Sequence, residues 1–142
     1  MNDKLIQAIF AENITLVSEL VANKCALEER WAFGQTPLHV AVSLGNTEIT
    51  RSLLDAGADI EAQNEYGLTP LYIAIVHRDA AMTSLLLEAG ASTETPCRSG
   101  DTPYDISRKY LPELLDIVES AHAKVVEELK GMLNADRVAM PA

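Results

Sequence analysis

The sequence predicts an all-α fold in which short helix pairs stack side by side into a solenoid, and three observations lead to this prediction. First, "GQTPL" at Gly34 recurs as "GLTPL" at Gly67 and as "GDTPY" at Gly100, at an interval of 33 residues each time. Second, "LLDAGADIEA" from Leu53 recurs with the same period as "LLEAGASTET" from Leu86. Third, the apolar residues between these signals fall at helical spacing. A fixed period of this length is typical of repeat architectures, because each unit buries its apolar faces only against its neighbours.

In each unit the Thr-Pro pair predicts the start of a first helix. Thr36 can accept a hydrogen bond from the free amide groups of the first turn, and Pro37 suits that turn because it has no amide hydrogen to leave unsatisfied. Gly45 can take the left-handed conformation that ends this helix. Arg78 stands in the same place one period later, which leaves the geometry of that turn open.

A second helix is predicted from about Thr47 to the stop signal at Gly57. The polar stretch "ADIEAQNEYGL" then leads to the next Thr-Pro pair as a projecting loop. Helices of about two to three turns are marginal in isolation, because nucleation costs more than so few hydrogen bonds return. The units are therefore expected to stack.

The motif G-x-T-P-L-H-x-A from Gly34, with its 33-residue period and the following "LLDAGAD", resembles the ankyrin repeat family. The resemblance implies an L-shaped solenoid in which projecting loops and first helices line a concave, partner-binding face. It also implies that His39 forms hydrogen bonds between neighbouring loops. It covers the whole chain as one domain of five segments: an N-terminal capping unit (1–33), two full repeats (34–66 and 67–99), a C-terminal ankyrin-like unit (100–123), and a helical extension and tail (124–142).

The first unit departs from the repeat pattern in a way that is typical of a capping unit. Asp3 and Lys4 stand where Thr-Pro is expected, and Lys24 stands where Gly57 and Gly90 follow the later helices. If Lys24 or Asn23 has a positive φ, Lys24 carries about 1 kcal/mol of strain that glycine relieves, so Lys24→Gly raises the melting temperature.

The last helix is predicted to continue beyond its unit. The period places a stop at Ala123, yet good helix formers run from Pro112 to about Leu133. An apolar stripe follows alternating four- and three-residue spacing if His122 is allowed one position in it: Leu111, Leu115, Val118, Val125, Leu129 and Met132. The favoured interpretation is that the stripe folds over the open end of the solenoid and seals its core. The alternative is that it is offered to a partner, or to a second copy in a homo-oligomer.

Composition limits the classes of partner. The chain has 142 residues, a net charge of −10 and a pI near 4.6, so its field repels phosphate backbones and anionic lipid. The expected partner is a protein with a basic or mixed apolar surface, with no nucleic acid and no membrane. No long apolar run is present, and Asp3 lies where a signal peptide carries positive charge, so a cytoplasmic location is predicted.

The sequence contains no pattern that predicts catalysis, a metal or a cofactor. No serine lies in a nucleophile elbow, and the glycines form no phosphate-binding loop. His77 and His122 have no Cys, His or carboxylate partners at metal-ligand spacing. Cys25 and Cys97 lie more than two units apart, so they are expected to be free thiols.

Positions that change between repeats are free to serve a partner, whereas recurring positions build the scaffold. The predicted partner-binding residues are Trp31, Phe33, Leu44, Tyr66, Leu68, Val76, His77 and Tyr110. Apolar and aromatic residues at positions expected to be exposed are typical of an interface core. A negative rim is predicted from Glu28, Glu29, Asp59, Glu61, Glu65 and Asp101. The alternative for Trp31 and Phe33 is packing between adjacent loops.

The sequence therefore predicts a non-catalytic protein-protein interaction module, an adaptor or scaffold. The alternative is a stoichiometric inhibitor of the antitoxin or immunity type, in which a small acidic protein occludes a basic enzyme. Loss of the partner's catalytic activity on binding separates the inhibitor from the adaptor.

Overall fold

The structure is a computed structural model that describes the backbone of residues 4–23 and 27–139, with side chains in those ranges as far as Leu133. The predictions for Lys24 and Cys25 lie outside the described residues, and the alternative that Asn23 has a positive φ is wrong, since its φ is −83°. The described part is helical, with a short 3-10 turn at Ala32–Gly34 and no strand, which confirms the predicted all-α fold. Its α-helices are α1 (Lys4–Phe10), α2 (Ile14–Ala22), α3 (Pro37–Leu44), α4 (Thr47–Asp55), α5 (Pro70–Val76), α6 (Ala80–Glu88), α7 (Pro103–Tyr110) and α8 (Pro112–Ala139).

The helices form two stacked rows. The first helices of the units, α1, α3, α5 and α7, pack in sequence as an inner row, and α2, α4, α6 and α8 form an outer row. Each helix also packs on the other member of its own pair. The apolar side chains that face each other between the rows and between successive units form one continuous core. Leu53 and Leu86, which recur one period apart, are fully buried in it.

The caps that the Thr-Pro pairs predict are present at all three sites. The side-chain oxygens of Thr36, Thr69 and Thr102 each accept a hydrogen bond from the amide three residues later, at 3.4, 3.3 and 3.1 Å. The outer helices α4 and α6 begin in the same way, with Asn46 and Asp79 as the capping residues. Short helices thus start at defined residues even where their own propensity is weak.

The turn between the two helices keeps one geometry in the first three units, whichever residue occupies it, whereas Leu111 at the equivalent position of the last unit has φ −134°. Gly45 has φ 73°, and the equivalent Glu12 and Arg78 have φ 51° and φ 58°. Arg78 therefore adopts the left-handed conformation in spite of its side chain, which settles the question that the sequence leaves open. Stacking of the helix pairs on both sides offsets the strain of about 1–2 kcal/mol that such a residue carries.

Helix α8 seals the end of the solenoid only with its first half. Leu111, Leu114 and Val118 are buried, whereas Val125, Leu129 and Met132 are 45%, 54% and 66% exposed. The interpretation that the stripe seals the core is therefore wrong for its second half. Leu115 is only half-buried, because Leu114 takes the core-facing position in that turn of the helix. The reason is length: α8 has 28 residues whereas the neighbouring α6 has nine, so α8 continues past the helix against which it packs.

Candidate protein-binding surface

The inner helices and the loop tips carry an exposed row of large apolar side chains. Of the predicted partner-binding residues, Trp31, Phe33, Leu44, Tyr66, Val76, His77 and Tyr110 are all exposed. The period explains the row, because Leu44, His77 and Tyr110 hold equivalent positions at successive inner-helix ends, and Phe33 and Tyr66 hold equivalent positions on successive loop tips. The structure therefore brings these side chains together along one face; their role in binding stays a prediction.

Leu68 differs from the other predicted residues. Its side chain is only half-exposed and packs against the core, while its carbonyl oxygen lies 2.8 Å from Nε2 of His39. Leu68 is therefore less exposed than expected, and its role as a partner contact stays a prediction. The reason is that this residue directly precedes the buried Thr69 cap, and the chain has already turned inward there.

A shallow pocket of about 280 Å³ lies at the N-terminal end of this face. It is lined by Phe10, Trp31, Ala32, Phe33, Gln35, Val40, Ser43 and Leu44. The rings of Phe10 and Trp31 meet edge to face with their centroids 6.2 Å apart, and both side chains remain about half-exposed. Comparison of the repeats does not select Phe10, because the first unit departs from the repeat pattern at Asp3, Lys4 and Lys24. The signal was present, since Phe10 lies 33 residues before Ser43 and 66 before Val76, which are variable positions.

The loop tips are joined in series by backbone hydrogen bonds. The amide of Glu65 donates to the carbonyl of Phe33, and the amide of Arg98 donates to the carbonyl of Tyr66, both at 3.0 Å. The rings of Phe33 and Tyr66 lie 6.1 Å apart in a tilted arrangement. Phe33 therefore packs between loops, as the alternative interpretation holds, yet it stays 56% exposed, so the two interpretations are compatible.

His39 fixes the loop of the following repeat, as the resemblance implies. The amide of Thr36 donates to Nδ1 of His39 at 3.1 Å, and Nε2 donates to the carbonyl of Leu68 at 2.8 Å. Because a carbonyl only accepts, these partners require the neutral ring with its proton on Nε2. Burial lowers the pKa of His39, and the positive charge of Arg30 acts in the same direction. The ring is therefore a structural element of the scaffold.

Much of the predicted acidic rim is engaged in the scaffold. Glu28 accepts from the amide of Asp59 at 2.8 Å, and one period later Glu61 accepts from the amide of Ser92 at 2.6 Å. Asp101 is paired with Lys109 at 2.7 Å. Glu28 and Glu61 join successive loops, and Asp101 ties its loop to α7, so these carboxylates hold the tips in place in addition to contributing negative charge.

Cys97 lies half-exposed at the last of these loops, with Sγ 3.0 Å from Oγ of Ser99. Burial alone would raise the pKa of its thiol, but hydrogen bonds from Ser99, from Tyr72 and from the backbone lower it. Among the residues that the structure describes, no group of His, Cys, Asp and Glu side chains is arranged to hold a metal ion. The same residues include no helix with the length and apolar character needed to cross a membrane.

Tandem helix pairs, projecting loops tied by backbone hydrogen bonds, and capped Thr-Pro helix starts define the class of helical repeat proteins that present a continuous binding face. The model of the family described as "Ankyrin repeats (3 copies)" matches residues 5–97. The chain therefore belongs to the ankyrin repeat family, whose repeats form a protein-protein interaction module that is generally non-enzymatic.

Similar curated proteins share only short stretches with this chain. A protein of Notamacropus eugenii named "Ankyrin repeat, SAM and basic leucine zipper domain-containing protein 1" is 40% identical over 53 residues, which cover 37% of this chain and 11% of that protein. Its namesake in Mustela putorius furo is 38% identical over 58 residues, 41% of this chain and 12% of the relative. The chain thus spans about a tenth of the length of these relatives. These comparisons support an ankyrin protein-binding module and lend no support to the inhibitor alternative.

Proposed function

We propose that the protein is an adaptor or scaffold that binds one protein partner along the face formed by the loop tips and inner helices. The observation that supports the proposal is the set of exposed large apolar side chains on the loop tips and inner helices, from Phe10 and Trp31 in the first unit to Tyr110 in the last. Exposed apolar patches of this kind on a soluble scaffold are typical of interfaces. The scaffold contacts beneath the row hold it in a fixed shape, which reduces the ordering cost of binding.

The partner that fits this face best combines an apolar anchor with basic flanks. The pocket lined by Phe10, Trp31 and Leu44 has the size and character to receive one large apolar side chain. The net charge of −10 attracts a basic segment over long range and raises its association rate at low salt. Partner affinity is therefore expected to fall as ionic strength rises.

Tyr66 and Val76 test the proposal most directly. Tyr66 is on a loop tip and Val76 ends an inner helix, and they are 54% and 50% exposed. Neither side chain belongs to the buried core, so truncation of both is expected to change the free energy of unfolding by no more than about 0.5 kcal/mol. An interface anchor truncated to alanine loses about 2 kcal/mol of binding, which is roughly a thirtyfold weaker affinity.

The experiment captures the partner from a native lysate with the intact protein, identifies it by mass spectrometry, and measures its affinity by calorimetric titration. The double variant Tyr66→Ala/Val76→Ala is compared with the matched variant Ile14→Ala/Leu16→Ala, which also truncates two exposed apolar side chains but on the outer helix α2. We expect weak binding by the first variant, parental binding by the second, and unchanged melting of the first. A double variant that unfolds early or binds as the parent does refutes the assignment of this face.

A further inference from the structure

The second half of α8 carries an apolar stripe that the repeat stack does not cover. Val125, Leu129, Met132 and Leu133 are between 45% and 66% exposed, and they follow the buried Val118 on the same helix. This surface is on the outer row, at the far end of the molecule from the pocket of Phe10 and Trp31. The proposed partner-binding face therefore leaves the stripe unused.

The spacing of the stripe is that of a coiled-coil seam. Val125, Leu129 and Met132 are four and three residues apart, which places them at alternate core positions of a heptad. Leu133 and the half-buried Val126 widen the seam on one side. A helix with this spacing is complementary to another helix with the same spacing, and a second copy of the chain supplies one in a closed two-fold arrangement.

The charge of the segment also favours a second copy. Residues 121–142 contain three basic and three acidic side chains, so the entire net charge of −10 is carried by residues 1–120. Elsewhere on the surface, contact between two copies brings like charges together, whereas two C-terminal segments meet without net repulsion. A basic partner, by contrast, is drawn toward the acidic repeats.

A groove next to the stripe enlarges the available contact area. It has a volume of about 460 Å³, lies between α6 and α8, and includes Leu87, Ile117 and Val125 among its lining residues. Lys124 and Glu128 also line it, one of each charge. Because Val125 belongs to both the groove and the stripe, a helix that packs on the stripe also has access to the groove.

From the seam spacing, the local neutrality and the adjoining groove, we propose that the C-terminal half of α8 is a self-association surface through which two copies of this chain form a symmetric dimer. The seam offers few large apolar side chains, so we expect a weak dimer with a dissociation constant of about 10–100 µM. Added salt screens the repulsion between the acidic repeat stacks, so it is expected to strengthen the dimer.

Sedimentation equilibrium of the full chain, from roughly 5 to roughly 500 µM, tests the proposal around that dissociation constant. The variant Leu129→Glu/Met132→Glu is expected to stay monomeric throughout this range, with the melting temperature of the parent. The matched control is Ala123→Glu, an exposed position about 200° around the helix from Val125, which is expected to dimerise as the parent does.

A parent protein that is monomeric at the highest concentration overturns the proposal, and so does a Leu129→Glu/Met132→Glu variant that dimerises like the parent. The response to salt distinguishes the two surfaces, because added salt is expected to strengthen the dimer and to weaken the binding of a basic partner. A dimer that weakens with salt also contradicts the assignment to the neutral segment.

Discussion

The spacing of the loop tips is predicted to depend on the missing side chain of Gly67. Gly67 and Gly100 occupy the same repeat position, and both have positive φ, 75° and 92°. They differ in their surroundings. A Cβ atom on Gly67 lies 2.8 Å from the backbone nitrogen of Arg98 and 3.2 Å from backbone atoms of Cys97, whereas a Cβ atom on Gly100 meets no atom within 4 Å. Gly67→Ala therefore forces two loops apart, and Gly100→Ala does not.

The magnitude follows from two contributions. Alanine in a left-handed conformation costs about 1–2 kcal/mol at either position, partly offset by the lower entropy of the unfolded chain. At Gly67 the overlap adds about 1–3 kcal/mol, as overpacking of a tight contact does. This range includes weakening of the hydrogen bond from the Arg98 amide to the Tyr66 carbonyl. We expect Gly67→Ala to lose about 2–4 kcal/mol of the free energy of unfolding, and Gly100→Ala about 1 kcal/mol.

Urea denaturation followed by circular dichroism measures both variants against the parent. The difference between the two variants is the decisive quantity, since the conformational cost is common to both. Equal losses for Gly67→Ala and Gly100→Ala would show that the loop contact does not contribute, and would refute the reasoning from close approach.

Two further predictions concern the scaffold. Leu53→Ala and Leu86→Ala are each expected to cost about 2–5 kcal/mol in urea denaturation, because both side chains are fully buried between units; losses below about 1 kcal/mol would contradict that packing role. Burial lowers the pKa of His39 in the folded state. The contribution of the neutral ring to the free energy of unfolding is therefore complete above about pH 6.5, the ordinary pKa, and decreases as the pH drops below that value. The stability advantage of the parent over His39→Gln is therefore expected to shrink between pH 7.5 and 5.5 in denaturation curves, and a constant difference would contradict a lowered pKa of His39 in the folded state.

The sequence by itself determined the features that act within one unit or recur with the period. The Thr36 cap, the stop at Gly45 and the burial of Leu53 and Leu86 follow from residue chemistry and a repeat of 33 residues. The role of His39 also came with the resemblance. These features could be predicted because equivalent side chains have the same neighbours in each repeat.

The candidate site was only partly predictable, because the sequence reveals which positions vary between repeats and not which side chains they contact. Variable positions such as Tyr66 and Val76 could be selected from the repeat alignment, and their exposure is as expected. Leu68 is less exposed than expected because it packs inward beside the Thr69 cap, and Phe10, which contacts Trp31, was not selected from the sequence. The period marks Phe10 as a variable position, but the contact between Phe10 and Trp31 joins two segments within one atypical unit and has no counterpart in the other repeats.

Only the tertiary structure decided where the stripe on α8 stops being part of the core. The spacing continues from Val118 to Met132 with His122 at one position, yet Val118 is fully buried and Met132 is 66% exposed. Burial depends on the element that lies opposite, and α6, the outer helix on which α8 packs, has only nine residues. The sequence therefore determined that the helix is amphipathic, and the dimensions of the neighbouring repeat determined that half of its apolar face remains available to another molecule.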